Sequence, residues 1–224
     1  MWKTKFYLKI LDLFWPRQCL NCSRQGKYLC IDCCALINLA TRYEVNVDYL
    51  DYLFWATPYK DKIVRSCLHY LKYQYVKDLA QELTDLIIAY FNLLNYSPIL
   101  EQTDGQAFII VSVPLHKSRM KERGFNQSEE IARSLSKKLG IPLVEQVLLK
   151  TKKTLSQMDL SRKERLKNVS GVFAINPENK NAIEGKKIIL IDDVYTTGTT
   201  MQECAKVLKQ NHAIEVWGVV VARD

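Results

Sequence analysis

Two adjacent carboxylates followed by a run of hydroxyl side chains form the segment of this 224-residue chain with the most specific chemical potential. In "IILIDDVYTTGTT", Asp192 and Asp193 come directly after an aliphatic run, and threonines flank Gly198 on both sides. A continuous aliphatic run predicts a buried parallel strand, and ligands bind beyond the carboxyl ends of such strands. The sequence therefore predicts a binding site in residues 192–200.

The turn that follows the acidic pair is typical of a phosphate site. It is predicted to open a helix, whose first amide groups are unpaired and carry partial positive charge. Gly198 would let the backbone approach a ligand closely. A ribose 5-phosphate would place its phosphate on the turn and its hydroxyls on Asp192 and Asp193. The alternative is a threonine-capped helix beside an incidental acidic pair. The hydroxyl donors are Thr196, Thr197, Thr199 and Thr200.

Five of the seven cysteines crowd into "CLNCSRQGKYLCIDCC". Cys19 and Cys22 form one C-x-x-C pair, and Cys30 and Cys33 form a second. Four thiolates at about 2.3 Å from one ion satisfy a tetrahedral structural zinc site, which has no open position for catalysis. Two neighbouring disulfides are the alternative, which a reducing compartment disfavours. Cys34 offers a slipped register, although the spacing favours Cys33 as the fourth ligand.

The overall composition is that of an ordinary soluble globular protein, with 48% hydrophobic and 25% charged residues. The formal net charge of +8 permits an anionic partner such as a nucleotide, a nucleic acid or an acidic protein face, but a basic surface without a binding role explains it equally well. No run approaches the roughly 20 apolar residues of a membrane span. The first 13 residues lack an export signal, which predicts a cytoplasmic protein. They predict an amphipathic helix that docks on the protein's own core, with a membrane-surface or partner-binding helix as the alternative.

The elements that must position these residues alternate between strands and helices. Aliphatic runs predict strands near residues 53–58, 108–113, 187–192 and 215–222, and a further strand in "LVEQVLL". Helical spacing predicts helices near residues 79–90, 126–139, 160–169 and 199–211. This alternation indicates a parallel sheet covered on both faces. We expect three modules, at residues 1–45, 46–106 and 107–224.

A family resemblance follows from these segments together. "IILIDDVYTTGTT" resembles the phosphoribosyl-pyrophosphate (PRPP) signature of type I phosphoribosyltransferases. With "VPLHKSRMKERGFNQSEEIA", "SQMDLSRKERLKNVSGVF" and the cysteine segment, the chain resembles the ComF family, which is associated with bacterial DNA uptake in natural competence. The resemblance implies an α/β fold, a type I phosphoribosyltransferase-like parallel sheet flanked by helices, with a small N-terminal zinc-ribbon or knuckle module. It also implies a bacterial cytoplasmic location.

The segment after the strand at 108–113 corresponds to the pyrophosphate loop of phosphoribosyltransferases. The resemblance implies that this loop contacts pyrophosphate or a nucleic-acid backbone, and a solvated charged face is the alternative. Phe125 would either stack on a base or plug the core at a helix start. The contact residues would be His116, Lys117, Arg119 and Arg123.

Two further segments resemble the family. The first would be the flexible loop that closes over PRPP; where the family tends to show arginines, lysines stand here and lack the bidentate fork. The second, "YKDKIVRSCLHYLKYQY", mixes cations with aromatic rings, a pattern compatible with single-stranded DNA or with a half-buried amphipathic helix. The loop residues are Gln157, Arg162, Arg165 and Asn168, with Lys150, Lys152 and Lys153 upstream; the mixed segment holds Tyr59, Lys62, Arg65, Lys72 and Tyr73.

Two functions from different classes are compatible with the chain. In the first, it is a phosphoribosyltransferase that uses PRPP and magnesium, and Asp192 and Asp193 steady the positive charge that develops on the ribose as pyrophosphate leaves. No residue identifies the acceptor. In the second, it is a non-catalytic competence protein that holds single-stranded DNA or a helicase-like or DNA-processing partner, and its pocket only senses a phosphoribosyl ligand.

Overall fold

A five-stranded sheet forms the centre of the protein, in a computed structural model that describes residues 17–96, 108–151 and 171–224. Across the sheet the strand order is β1-β2-β7-β6-β3, with β1 antiparallel to β2 and all other neighbours parallel. The parallel sheet predicted from the sequence is confirmed, with one short antiparallel strand added at its edge. The strands are β1 (Glu44–Val47), β2 (Leu50–Pro58), β3 (Phe108–Ser112), β6 (Lys187–Tyr195) and β7 (Glu215–Arg223).

The helices cover both faces of this sheet, as the continuous aliphatic strands require. Helices α2, α3 and α5 share one apolar core with the cysteine segment, and α6 lies in a second core on the opposite face. The described helices are α1 (Ile31–Ala35), α2 (Lys62–Tyr73), α3 (Leu79–Leu93), α4 (Lys117–Arg123), α5 (Gln127–Leu139) and α6 (Thr199–Gln210).

Aromatic side chains fill the first core around Trp217 of β7. The Trp217 ring centre lies 4.5 Å from that of Phe108 and 5.4 Å from that of Phe54. Phe54 and Phe108 belong to β2 and β3, so the cluster joins strands that are far apart in the sequence. Aromatic pairs at these separations add about 0.5–1.5 kcal/mol beyond the burial of their surface.

The strand expected in "LVEQVLL" is shorter than predicted and lies outside the main sheet. Leu143 forms a single bridge with Ile110 of β3, and Gln146 then adopts a positive φ of 54° that turns the chain away. The remaining strand β4 (Leu148–Lys150) pairs antiparallel with β5 (Phe173–Ile175), which the sequence did not predict. A 3-10 helix at Pro177–Ala182 then leads into β6.

Strand β2 pairs with β7, so residues 50–58 belong to the same sheet as the strands of the C-terminal half. The boundaries expected at residues 45 and 106 stay predictions. The amphipathic helix expected near the N-terminus and the helix expected at 160–169 lie outside the described residues. In the described parts of the chain, no helix combines the length and apolar character needed to cross a membrane.

Candidate functional site

The acidic pair lies within strand β6 rather than after it. The strand continues past Asp192 and Asp193 to Tyr195, because Val194 and Tyr195 still pair with Ala222 and Arg223 of β7. The turn expected directly after the acidic pair therefore starts only at residue 196 and is three residues long, 196–198. Since neighbouring strand residues point to opposite faces, the two carboxylates have different surroundings.

Asp192 is partly exposed and is held at the start of α5. Its Oδ1 accepts hydrogen bonds from the Ser128 hydroxyl at 2.8 Å and from the Asp193 amide at 2.9 Å. Burial and the charge of Asp193 raise the pKa of Asp192 to about 7, although both hydrogen bonds and the charge of Lys72 act in the opposite direction. Asp192 is thus a carboxyl group that titrates near neutral pH.

Asp193 is buried and faces a cation from helix α2. Its Oδ2 lies 2.7 Å from the Lys72 ammonium, and the two side chains are 7% and 20% exposed. Burial lowers the pKa of Lys72, but attraction by Asp193 and Asp192 outweighs it, so the pKa of Lys72 is raised. The ammonium therefore stays charged beside the acidic pair.

The turn at 196–198 packs over the ring of Tyr195. Gly198 has a φ of +75°, and a Cβ atom at this position would overlap the Tyr195 hydroxyl group. Helix α6 begins after Gly198, which is its N-cap residue and has no side chain to cap it. The hydroxyls of Thr197 and Thr199 lie 3.0 Å apart and share a hydrogen bond. Thr196 is exposed, Thr200 is partly buried and Thr199 is buried. An anion would find amide and hydroxyl donors here.

Helix α4 presents the cations of the expected pyrophosphate loop. His116 caps this helix, because its Nδ1 accepts a hydrogen bond from the Ser118 amide at 3.1 Å. Lys117 is exposed and Arg119 is partly exposed. Arg123, in contrast, is buried: it donates to the Gln127 side-chain oxygen at 2.9 Å and stacks over the ring of Tyr73. A direct ligand contact from Arg123 stays a prediction.

Lys150 belongs to the same neighbourhood although it comes from strand β4. Burial and the charge of Arg119 lower the pKa of Lys150, whereas Asp192 acts to raise it. Lys150 and Arg119 are both partly exposed cations whose charges act on each other, and such a pair is suited to hold an anion.

The four predicted cysteine ligands form one cluster. The Sγ atoms of Cys19, Cys22, Cys30 and Cys33 all lie within 4.8 Å of one another, and Cys34 is not among them. Every cysteine is a free thiol, so the disulfide alternative is wrong here. In the described part of the chain, this is the only group of three or more side chains suited to hold a metal ion. The cluster therefore fits a single tetrahedral ion.

The electrostatics of the cluster also favour a cation. Burial raises the pKa of Cys19, but the backbone amides of Cys30, Cys22 and Asn21 outweigh it and lower that pKa to about 6. The Asn21 amide lowers the pKa of Cys33, yet burial and the neighbouring thiols raise it to about 12. Without an ion the thiols thus resist ionising together, whereas a bound dication would stabilise all four as thiolates.

Phe125 and the aromatic and basic residues of α2 lie where a purely structural role would place them. Phe125 is 4% exposed in the first core, so it is a core plug. Helix α2 buries an apolar face, which confirms an amphipathic helix, and its Tyr73, Lys62 and Arg65 are exposed. His69 lies mid-helix against the Tyr73 ring. His212 is exposed after α6.

The structure adds two residues, Lys72 and Ser128, that the sequence did not predict as contacts of the acidic pair. Lys72 belongs to a segment whose pattern predicts either contact with single-stranded DNA or a half-buried amphipathic helix; it follows Leu68 by four residues and so borders the apolar face of α2. Ser128 is the second residue of α5, in the segment already matched to the family. The expected loop residues Gln157, Arg162, Arg165 and Asn168, with Lys152 and Lys153, lie outside the described residues.

Comparison with known proteins agrees with these features. Residues 124–224 match the family described as "Phosphoribosyl transferase domain". Competence protein F of Haemophilus influenzae is 36% identical over 115 residues, which make up 50% of each chain. DNA utilization protein YhgH of Escherichia coli K12 is 31% identical over 152 residues, 67% of this chain and 63% of that protein. Competence protein ComFC of Bacillus subtilis is 36% identical over 101 residues, 45% of this chain and 38% of that protein.

The matched part of the chain thus spans 38% to 63% of the length of these relatives, which is less than two thirds in each case. Among solved structures, that of the allosteric regulatory enzyme of purine biosynthesis matches 69% of this chain and 30% of its own, with a TM-score of 0.42 and 16% identity. A likeness this distant carries no argument about function. The sequence relatives, the matched domain and the cysteine cluster beside a mostly parallel α/β sheet together show that the chain belongs to the ComF family and carries a phosphoribosyltransferase-type domain.

Proposed function

We propose that the protein binds PRPP, or another ligand built on ribose 5-phosphate, at the end of β6. One observation carries this proposal: Asp192 lies near the end of β6, which runs through the turn 196–198 directly into α6, so a partly exposed carboxylate and a helix N-terminus lie at the same end of one strand. A carboxylate accepts hydrogen bonds from hydroxyls, and a helix N-terminus accepts a phosphate. A sugar monophosphate carries both groups.

The roles of the two carboxylates are unequal in this proposal. Asp192 is partly exposed and would accept the ribose hydroxyls, whereas Asp193 is buried against Lys72. The amides and hydroxyls of residues 197–199 would hold the 5′-phosphate. In a transfer reaction the same carboxylates would stabilise positive charge at C1 of the ribose as pyrophosphate leaves.

The pyrophosphate end of the ligand would lie among the cations of α4 and β4. Lys117, Arg119 and Lys150 supply the positive charge in this arrangement, and His116 would stay at the cap of α4. The acidic pair is already engaged by Ser128 and Lys72, so the described residues offer no ready cage for magnesium. Magnesium that arrived with the ligand would neutralise the diphosphate.

The cysteine cluster supports a structural zinc ion held by Cys19, Cys22, Cys30 and Cys33. Zinc is the ion whose tetrahedral preference and affinity for thiolates fit four cysteines. With all four positions taken, it would stabilise the fold rather than take part in a reaction.

Calorimetric titration with PRPP tests the ligand assignment. We expect Asp192→Asn to weaken binding by about tenfold or more, because hydrogen bonds to a charged group contribute roughly 1.5–3 kcal/mol. Glu184→Gln is the matched control, since Glu184 is an exposed carboxylate just before β6. Undiminished affinity of the Asp192 variant would remove the ribose assignment.

Release of pyrophosphate in the presence of a panel of acceptors separates a transferase from a binding protein. Purine and pyrimidine bases and amines would be offered with PRPP and magnesium. If the wild-type protein releases pyrophosphate with one class of acceptor and the Asp192→Asn variant does not, the protein is a transferase. Tight PRPP binding without release for any acceptor would leave the binding role.

A second candidate function is non-catalytic binding of single-stranded DNA during DNA uptake. The relatives named as competence and DNA utilization proteins support this role. Exposed Lys117 and partly exposed Arg119 on α4 could follow a phosphate backbone. A helicase-like or DNA-processing partner stays a prediction.

Fluorescence anisotropy with a single-stranded oligonucleotide tests this candidate. Binding should weaken steeply with salt and fall further in Lys117→Ala/Arg119→Ala. Lys137→Ala/Lys180→Ala removes the same charge from exposed positions elsewhere and is the control. Arg123 is unsuitable for the test because it is buried. If the affinity for the oligonucleotide changes neither with salt concentration nor in the Lys117→Ala/Arg119→Ala variant, binding of single-stranded DNA through α4 is excluded.

A further inference from the structure

Lys72 is the cation closest to the acidic pair in the described structure. Its ammonium lies 2.7 Å from Asp193 Oδ2, and the lysine side chain is only 20% exposed. The Lys72 charge also acts on Asp192, where it opposes the effect of burial. The positive charge of Lys72 therefore partly balances the negative charges of Asp192 and Asp193.

Helix α2 holds this lysine in a fixed position. Asp61 caps the helix by accepting hydrogen bonds from the amides of Ile63 and Val64 at 2.9 and 3.1 Å. Leu71, directly before Lys72, is fully buried in the first core, as is Val64, which lies two helical turns earlier on the same face. The fixed helix backbone therefore places the lysine within reach of Asp193, although ordering its long side chain has an entropic cost of its own.

Such a buried pair is weak evidence for a purely stabilising role. Removing two charges from water costs free energy that their attraction repays only in part, and apolar residues often serve as well. The pair lies at the carboxyl end of the central parallel strands, where ligands bind in open α/β sheets. Function is therefore the better reason for its presence there.

The charge balance shows what the lysine contributes. Two ionised aspartates alone would place a charge of −2 a few residues from the turn that receives a phosphate dianion. With Lys72 the sum is −1, and protonation of Asp192 brings it to zero. The lysine reduces the repulsion that a sugar phosphate would otherwise meet.

We propose that Lys72 is a positioning residue that serves as the built-in counter-cation of the acidic pair, so that the protein binds the ribose 5-phosphate part of its ligand without a divalent metal. This inference rests on the proposed phosphoribosyl site. Lys72 pairs with Asp193, whereas the partly exposed Asp192, whose Oδ1 is positioned by Ser128, accepts the sugar hydroxyls. Magnesium is then needed only for the diphosphate of PRPP.

Titration with ribose 5-phosphate, which lacks the diphosphate, tests the inference. It is run on the full chain in EDTA and again in excess magnesium. The wild-type protein should bind equally in both. Lys72→Met should bind about tenfold or more weakly in EDTA, an order-of-magnitude expectation for one unscreened charge, and magnesium should recover part of the loss.

Two further variants make the result specific. Lys72→Arg keeps the charge and should bind ribose 5-phosphate in EDTA nearly as well as the wild type. If Lys72→Met were weak only because the packing is disturbed, Lys72→Arg would be weak as well. Lys137→Met removes an exposed lysine from the last turn of α5 and should bind like the wild type. Thermal unfolding of each variant verifies that it folds.

The outcomes separate this inference from the proposed function. If the wild type binds no ribose 5-phosphate in either buffer, the phosphoribosyl site itself fails and Lys72 loses its role with it. If the wild type binds only in magnesium, the site stands and the counter-cation is overturned; this comparison needs no variant. If Lys72→Met binds like the wild type in EDTA, the counter-cation is again overturned.

Discussion

The contact between Gly198 and Tyr195 shapes the turn that would receive a phosphate. Gly198 has a left-handed φ of +75°, and a Cβ there would overlap the tyrosine hydroxyl. Tyr195 cannot easily give way, because it is 8% exposed and its hydroxyl accepts a hydrogen bond from Gln202. The position therefore excludes side chains both by conformation and by contact.

We predict that Gly198→Ala lowers the free energy of unfolding by about 3 kcal/mol, the sum of left-handed strain and overpacking, and weakens PRPP binding. Gly185→Ala is the control, since Gly185 has a φ of +68° but nothing within 4 Å of an added Cβ. It should cost only about 1–2 kcal/mol. Urea unfolding measures both, and equal losses would show that the contact with Tyr195 has no effect.

The raised pKa of Asp192 predicts that the free energy of unfolding depends on pH, and it fixes the direction of that dependence. The native carboxyl keeps its proton up to about pH 7, whereas the ordinary value is 3.8. Between these values the native state binds more protons than the unfolded state. The contribution of Asp192 to stability is therefore lost as the pH rises through this window.

Asp192→Asn removes this titration and keeps an oxygen for the Ser128 hydroxyl. The variant should gain stability relative to the wild type as the pH rises from about 4 to about 7, and the difference should level off above that. Urea unfolding at a series of pH values measures it. A difference that does not change with pH would contradict the assignment.

At the scale of elements, Gln202 ties helix α6 to the β1–β2 hairpin. Its Nε2 donates to the Val47 carbonyl at 2.8 Å, and its Oε1 accepts from the Tyr49 amide at 3.0 Å. The same Nε2 lies 3.2 Å from the Tyr195 hydroxyl. One buried amide thus connects the hairpin, the end of β6 and the helix that follows the turn.

Gln202→Ala should lower the free energy of unfolding by about 2 kcal/mol, because it leaves buried backbone groups without partners. Amide hydrogen exchange at Tyr49 should also become faster, which reports loss of the hairpin contact specifically. Gln81→Ala is the control, since Gln81 is exposed on α3. Unchanged exchange at Tyr49 would show that the hairpin is held by other contacts.

At the scale of the whole molecule, the cysteine module shares a core with the sheet. Cys19, Cys30 and Cys33 are buried in the first core together with residues of α2, α3 and β7. The Tyr28 amide donates to the Glu82 carboxylate on α3 at 3.2 Å, which fixes the loop between the two cysteine pairs. An ion in this module would stabilise the main body and not only its own loop.

Metal analysis should find about one zinc ion per chain. Cys33→Ser should lose most of it and lower the melting temperature, because metal binding to a folded site adds directly to stability. Cys34→Ser is the matched control, as Cys34 is the adjacent thiol outside the cluster. Equal metal content in the two variants would contradict the ligand assignment.

The sequence alone was sufficient where the determining contacts are local. The two C-x-x-C pairs lie within 15 residues, and their spacing predicted the four-cysteine cluster that the structure contains. The acidic pair and the threonine turn are likewise contiguous, and the ligand that their types and spacing predict stays a prediction. The aliphatic strands predicted the parallel sheet for the same reason, since burial on both faces requires apolar residues at every position.

Only the tertiary structure decided the features that depend on distant pairing. Lys72 meets Asp193, 121 residues later in the chain, because β2 pairs with β7 and so brings α2 to the end of β6. The turn is short because β7 extends to Arg223 and keeps Tyr195 in the ladder. Arg123 is turned inward by Gln127 and Tyr73. Periodicity records which face of an element is apolar, but not which neighbour that face will meet, and the charge balance of this site depends on the neighbour.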